Sequence, residues 1–298
     1  MYRSYWDDKT RSVIFEYHFS NLNDFLNYIQ EKERNSHVFG ERSSVTGSYR
    51  FTKTATFDEA VRFCQYGWTQ DFDRLLKLKE KVDQYLIKKG QETIKRSKTV
   101  MGFAPSMSDI VTGNPLNMWQ IQKQPNFDII KIYVSLSYPG HTTSSEIYNR
   151  GAILLSLVDI LEKMGYGVEL IPFEICYEED YVMSRTKTRE YLIAYFSLKD
   201  SSENLNLGKV YFPLCHPSFV RRLLFALKEV TPFKVLRWED SYGHVCEPNH
   251  IREVIGISKD EILFSSPRDM NISGDNVYED LENILETLQL ERFFKRNF

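Results

Sequence analysis

The chain has 298 residues, 42% of them hydrophobic and 14% aromatic, which is enough for a sizeable core and excludes intrinsic disorder. With 38 basic and 41 acidic residues the formal net charge is -3, so no overall field draws the chain to nucleic acid or to an anionic membrane. Cys64, Cys176, Cys215 and Cys246 are dispersed, which excludes a disulfide framework or a zinc ribbon, and no stretch reaches the roughly 18 apolar residues of a membrane span.

The N-terminus carries no apolar segment of signal-peptide type; the expected compartment is the cytoplasm, with reduced thiols and no membrane contact. Val13 to Phe19 is rich in β-branched and aromatic residues and predicts a strand. Ser20 is the expected cap of a helix carrying Leu22, Phe25, Leu26 and Ile29. A polar loop over 35–47 leads to a short strand expected over 48–55. Thr56 then caps a helix over 57–68 with Phe57, Ala60, Val61 and Cys64 as its apolar stripe. Residues 70–98 predict a lysine-studded helix. Its basic face (Lys77, Lys81, Lys88 and Lys89) is the one place where phosphate contact is worth testing, although intrahelical charge pairs explain the same lysines. Turn formers over 102–117, with a short helix over 106–111, form a connector, and the polar hinge at 120–124 marks a domain boundary.

Beyond the hinge the pattern alternates. An apolar strand from Ile129 to Ser137 is followed by a long helix opened by Ser144 and closed by Gly165 and Gly167, then by a strand over 168–176. This is a βαβ signature. Further strands are expected over 191–198, 209–214, 233–238 and 261–265, with helices over 218–230 (Pro217 at its first position), 249–255 and 277–294. The expected fold class is α/β. A small N-terminal α+β domain with its connector occupies residues 1–120, and a larger α/β sandwich with a mostly parallel sheet occupies 121–298.

Ligands of open α/β sheets bind at the carboxyl ends of the strands. Three expected strand ends are rich in hydroxyls and acids, and they nominate Ser135, Ser137, Asp200 and Asp269 for a polar crevice. Arg221 and Arg222, one turn after His216 at a helix start, are candidates to hold an anion there, against the plainer reading of a capped helix with surface arginines. The acids after 177 and between 269 and 280 suit magnesium, but also solvated loops and helix N-termini.

Ser135 and Ser137, followed by a long helix, resemble the end of the D-x-S-x-S motif of von Willebrand factor A domains, which bind a divalent metal bridging to a partner carboxylate. Tyr133 stands where that motif has its aspartate, so a hard cation lacks its charged ligand and no metal or other cofactor is expected. The segments FDEAVRFCQYGW (57–68), GFAPSMSDIVTGNPLNM (102–118), RGAILLSLVDILEKMGYGVEL (150–170) and HPSFVRRLLFALKE (216–229) occur in that order. Together they resemble an uncharacterised family of proteins from bacteriophages and mobile elements, which implies a phage setting and no catalytic residue list.

No P-loop, dinucleotide fingerprint, zincin motif or nucleophile elbow is present, and the six histidines have no ligand spacing. The expected function is that of a non-catalytic phage accessory protein that binds another protein, either a host factor such as a defence enzyme or a second copy of itself. Two alternatives stay open: a metal-dependent enzyme on phosphate substrates and a virion or assembly component. Nucleic-acid binding through the lysine face is the less favoured possibility.

Overall fold

The computed structural model describes residues 1–32, 49–68, 72–90, 96–99, 104–105, 109–110, 112–116, 118–121, 129–180, 188–232 and 244–289. Its centre is a seven-stranded mixed sheet. β1 (Tyr2–Asp7) and β2 (Ser12–Phe19) form an antiparallel hairpin, and β2 runs parallel to β8 (Thr188–Phe196). Next come β7 (Gly167–Asp180), antiparallel to β8, then β6 (Ile129–Ser135) and β10 (Ile262–Phe264), each parallel to its neighbour. The order is β1-β2-β8-β7-β6-β10, and the short β9 (His244–Val245) pairs with β7 beyond the end of β6. A separate small sheet holds β3 (Arg96–Thr99), β5 (Met118–Ile121) and β4 (Ala104–Pro105) in that order.

The α/β class therefore holds, but the sheet is mixed rather than mostly parallel. The division at residue 120 does not follow the sheet either. The alternation Val13, Phe15, Tyr17, Phe19 gives β2 one apolar face, which packs into the large core, while Ile14 reaches the core on the other face. Such a strand is buried with neighbours on both edges. It finds the second one in β8, so the N-terminal strands and the second half share one core.

One face of the sheet carries the large core. Against it pack α1 (Leu22–Glu31), α3 (Phe57–Tyr66), α5 (Ser144–Lys163), α6 (Leu207–Cys215), a π-helical turn (Phe219–Leu224) running into α7 (Phe225–Val230), and α9 (Val277–Thr287). α4 (Phe72–Gly90) lies outside α5, with Val82 buried and Lys79 bonded to Asp83 and to Asp159 of α5, each at 2.6 Å. The second face is covered by α8 (Pro248–Ile255), whose Ile251 joins Ile14, Phe173, Ile175, Tyr191 and Ile193.

Local chemistry explains most boundaries. Thr56 caps α3 by accepting from the Glu59 N–H at 3.1 Å, as its sequence position predicts. The caps of α1 and α5 fall one residue from those expected. Asn21 rather than Ser20 caps α1, and Thr143 rather than Ser144 forms a reciprocal capping box with Glu146. Gly165, at φ +98°, ends α5 in the left-handed conformation that glycine alone adopts without strain.

Three elements differ from expectation. The turn α2 (Tyr49–Thr52) stands within the strand expected over 48–55. The lysine-rich helix expected over 70–98 is described over Phe72–Gly90, and its expected last turn holds a strand at Arg96–Thr99 instead. Residues 209–214 are helix α6, because an apolar run buried on all sides has no period to separate helix from strand, and Asn206 caps it by accepting from the Lys209 N–H at 3.2 Å. The expected strand over 233–238, the loop over 35–47, the hinge at 122–124 and most of the 106–111 helix lie outside the described residues.

Candidate functional site

β6, β7 and β10 share a direction, so their carboxyl ends lie together, and Ser135, Ser137 and Asp269 gather there. Each is occupied by the fold itself. β6 stops at Ser135 while β7 continues, and the Ser137 hydroxyl replaces the missing strand: it donates to the Ile175 carbonyl at 2.6 Å and accepts from the Ile175 N–H at 3.0 Å. Ser135 Oγ accepts from the Ser137 N–H at 3.3 Å, and both serines are buried. Asp269 accepts from the Ser266 hydroxyl at 2.7 Å.

Between these strand ends lies Arg150, fully buried on α5. Its Nε donates to the Ser265 carbonyl at 2.7 Å, and Nη2 donates to those of Ser135 and Phe264, both at 2.8 Å. Nη1 donates to the Tyr138 hydroxyl at 3.3 Å, and the guanidinium stacks over the rings of Tyr138 and Phe264. Burial lowers its pKa, and the bonded carbonyls compensate the charge at the negative ends of their peptide dipoles. A fixed cation thus ties β6 to β10 where a ligand of the sheet would sit.

The other candidates lie elsewhere. β8 is antiparallel to β7, so its carboxyl end reaches the opposite end of the sheet, where Leu170 bridges to Lys199. Asp200 follows there and accepts from the Ser202 N–H at 2.9 Å and hydroxyl at 2.8 Å, which hold its carboxyl below the usual carboxylate range. Arg222 is buried in the π-helical turn and donates to the Thr54 and Ala55 carbonyls at 3.1 and 3.3 Å, while Arg221 lies over the Phe225 ring. The expected six-residue crevice is thus not formed, because one antiparallel strand and one helix turn separate its members.

On the basic face Lys77 and Lys81 are exposed, while only the backbone of Lys88 and Lys89 is described. Asp280, one of the acids weighed for magnesium, is buried. It accepts from the Ser273 N–H and hydroxyl, the Gly274 N–H and the Asn149 amide at 2.7–3.2 Å. Among the described residues no group of three His, Cys, Asp or Glu side chains is placed to hold a metal ion. No described helix is long and apolar enough to cross a membrane.

Sequence reasoning passed over Arg150, although one signal was present: a lone arginine inside the stripe formed by Ile147, Ile153 and Leu154. It also passed over β1. Every side chain of this strand is exposed but that of Asp7, which is half-buried; Tyr2, Tyr5 and Trp6 are 45, 38 and 51% exposed. Arg3, Tyr5 and His18 all bond Glu16, whose carboxyl burial would push up but which these donors hold below its ordinary range. Their bonds fix the register of the hairpin. The outer edge of β1 pairs with no strand among the described residues. A cavity of about 530 Å³ lies apart from it, where the start of α1 (Asn21, Asn23), the end of α3 (Cys64, Trp68) and the start of α6 (Asn206, Lys209) meet.

Residues 7–292 match a domain of unknown function, DUF7192. The chain belongs to the DUF7192 family. No curated protein and no solved structure matches it. The DUF7192 match runs across residue 120 without a break, as the sheet does, and takes in Arg150, the strand ends it ties and the end of β1.

Proposed function

We propose that this DUF7192 protein works by binding another protein along the open edge of its sheet, and not by catalysis. The observation that carries the reading is β1, a regular strand with exposed aromatic side chains on both faces and an outer edge that pairs with no strand among the described residues. Such an edge is a template for strand addition, in which main-chain hydrogen bonds supply affinity and flanking side chains supply selectivity. Natural sheets guard an edge they mean to keep free with proline, lysine or a bulge; Tyr2–Asp7 contains none of these and pairs with β2 in unbroken register.

The use of the strand-end residues as structural bonds supports the same reading, since the Ser135 and Ser137 hydroxyls are engaged with backbone and Asp269 with the Ser266 hydroxyl. On this reading the protein is an accessory factor of phage or mobile-element type acting in the cytoplasm. The test is affinity capture with the full chain and with Trp6→Lys and Ser4→Pro variants. Specific capture by the wild type that both variants lose is the expected result; capture unaffected by either variant counts against the edge.

A further inference from the structure

We infer that the occupant of the β1 edge is β1 of a second copy, paired antiparallel about a two-fold axis at Ser4. This rests on the reading of β1 as a binding edge and deepens it by naming the partner.

Residues of an antiparallel pair alternate between those bonded to the neighbour and those whose N–H and C=O point away. Met1 and His18 exchange both bonds, at 2.5 and 2.8 Å, so Arg3, Tyr5 and Asp7 also face β2. The main-chain groups of Tyr2, Ser4 and Trp6 therefore point outward. An antiparallel copy must set outward residues against outward residues, and the fullest overlap of these three centres on Ser4. That register places Tyr2 opposite Trp6 of the second copy, twice, and Ser4 opposite Ser4. Arg3 falls opposite Tyr5, again twice.

Side chains then match on both faces. Tyr2 and Trp6 share the face of Tyr17, against which Tyr2 packs with ring centroids 4.7 Å apart, so the two-fold pairs aromatic with aromatic there. Arg3 and Tyr5 share the face of Glu16. Arg3 already lies 5.2 Å from the centroid of its own Tyr5, and the second copy offers it another ring. Moving the axis to Tyr5 would instead put Tyr2 opposite the acidic Asp8. Charge agrees: across residues 2–9 Arg3 and Lys9 balance Asp7 and Asp8, so the edge repels no copy of itself. The product is one continuous sheet through both copies.

The experiment is sedimentation velocity over a range of concentrations, with hydrogen exchange on the same samples. The expected result is a concentration-dependent dimer in which the Ser4 and Trp6 amides gain protection while Arg3 and Tyr5 do not change. Ser4→Pro removes an outward donor and spares the bonds to β2, and Trp6→Lys removes the aromatic pair. Each should weaken dimerisation by at least about tenfold with the melting curve retained. Ser4→Cys should cross-link across the axis under mild oxidation, because facing residues of a bonded pair lie about 5.5 Å apart at Cα, whereas the wild type should not. A dimer that persists in both edge variants overturns the inference, as does a monomer at every concentration. A monomeric chain whose capture of another protein is lost in Trp6→Lys overturns only the second copy and leaves the edge as a binding site. A monomeric chain whose capture is indifferent to Trp6→Lys removes both.

Discussion

Nη2 of Arg150 lies 2.8 Å from the main-chain oxygen of Ser135, and the same nitrogen reaches the Phe264 oxygen at an equal distance. One side chain on α5 therefore spans the carboxyl ends of two adjacent parallel strands, β6 and β10. Removing it would leave three buried carbonyls and the Tyr138 hydroxyl without their donor. Arg150→Met is expected to destabilise the fold by about 3–5 kcal/mol, the range for breaking a buried charged contact. Arg150→Lys should recover less than half of this, because an ammonium is a point donor and cannot span the carbonyls as a planar fork does. Urea unfolding monitored at constant slope gives both values; an Arg150→Lys midpoint equal to wild type would show that charge alone suffices.

Lys228 and Glu174 form a second buried charge, 2.6 Å apart between α7 and β7, each 5% or less exposed. Glu174 Oε2 has no hydrogen-bond partner among the described residues, so the pair is held but not fully satisfied. Glu174→Leu alone should cost about 3–5 kcal/mol by removing the buried counter-charge of the lysine. The double variant Glu174→Leu with Lys228→Met should recover most of that loss, since desolvating two ions offsets much of their attraction. A double-mutant cycle measures the coupling, and a double variant as unstable as the single one would contradict the account.

The sequence carried the βαβ unit clearly because α5 and its flanking strands are long, periodic and capped by local chemistry. Of the N-terminal hairpin only β2 was legible as strand, and not as part of the main sheet, since nothing local in Val13–Phe19 names a partner 177 residues further along. The site failed for a related reason. Ser135, Ser137 and Asp269 lie at one end of the sheet, whereas Asp200 lies at the other, because grouping strand ends assumes parallel strands and β8 runs the other way. Arg150 was hidden by its neighbours: inside an apolar stripe an arginine has meaning only once the carbonyls it meets are known.

Gly151, beside Arg150, is required by packing rather than by conformation. A Cβ there would lie 2.3 Å from Cys215 Sγ, 2.8 Å from its Cβ and 2.9 Å from its Cα, so α5 and α6 touch at this point. Gly151→Ala should destabilise by about 1–3 kcal/mol, the usual cost of overpacking a core. Adding Cys215→Ala should rescue little, because the Cβ and Cα of residue 215 remain in the way. Thermal melts of the single and double variants check this, and full rescue would place the clash at the sulfur alone.

His216 supplies the last prediction, on pH. Its ring is buried at the end of α6, with Trp68 edge-on at 4.1 Å and Phe212 stacked at 5.0 Å. Nδ1 accepts from the Ser218 N–H at 3.1 Å, which places the proton of the neutral ring on Nε2, where no acceptor stands among the described residues. Burial pushes the imidazole pKa down from 6.5 to about 3. Between those values the unfolded chain binds a proton that the folded chain refuses. Stability from this group is therefore complete above about pH 6.5 and is lost as pH falls toward 3. In His216→Gln, which keeps an acceptor for Ser218, that dependence disappears. From pH 6 to 4.5 wild type should lose stability relative to the variant by up to about 1.4 kcal/mol per pH unit, one proton's worth. Parallel stability curves for the two proteins would mean that the ring takes up its proton while folded.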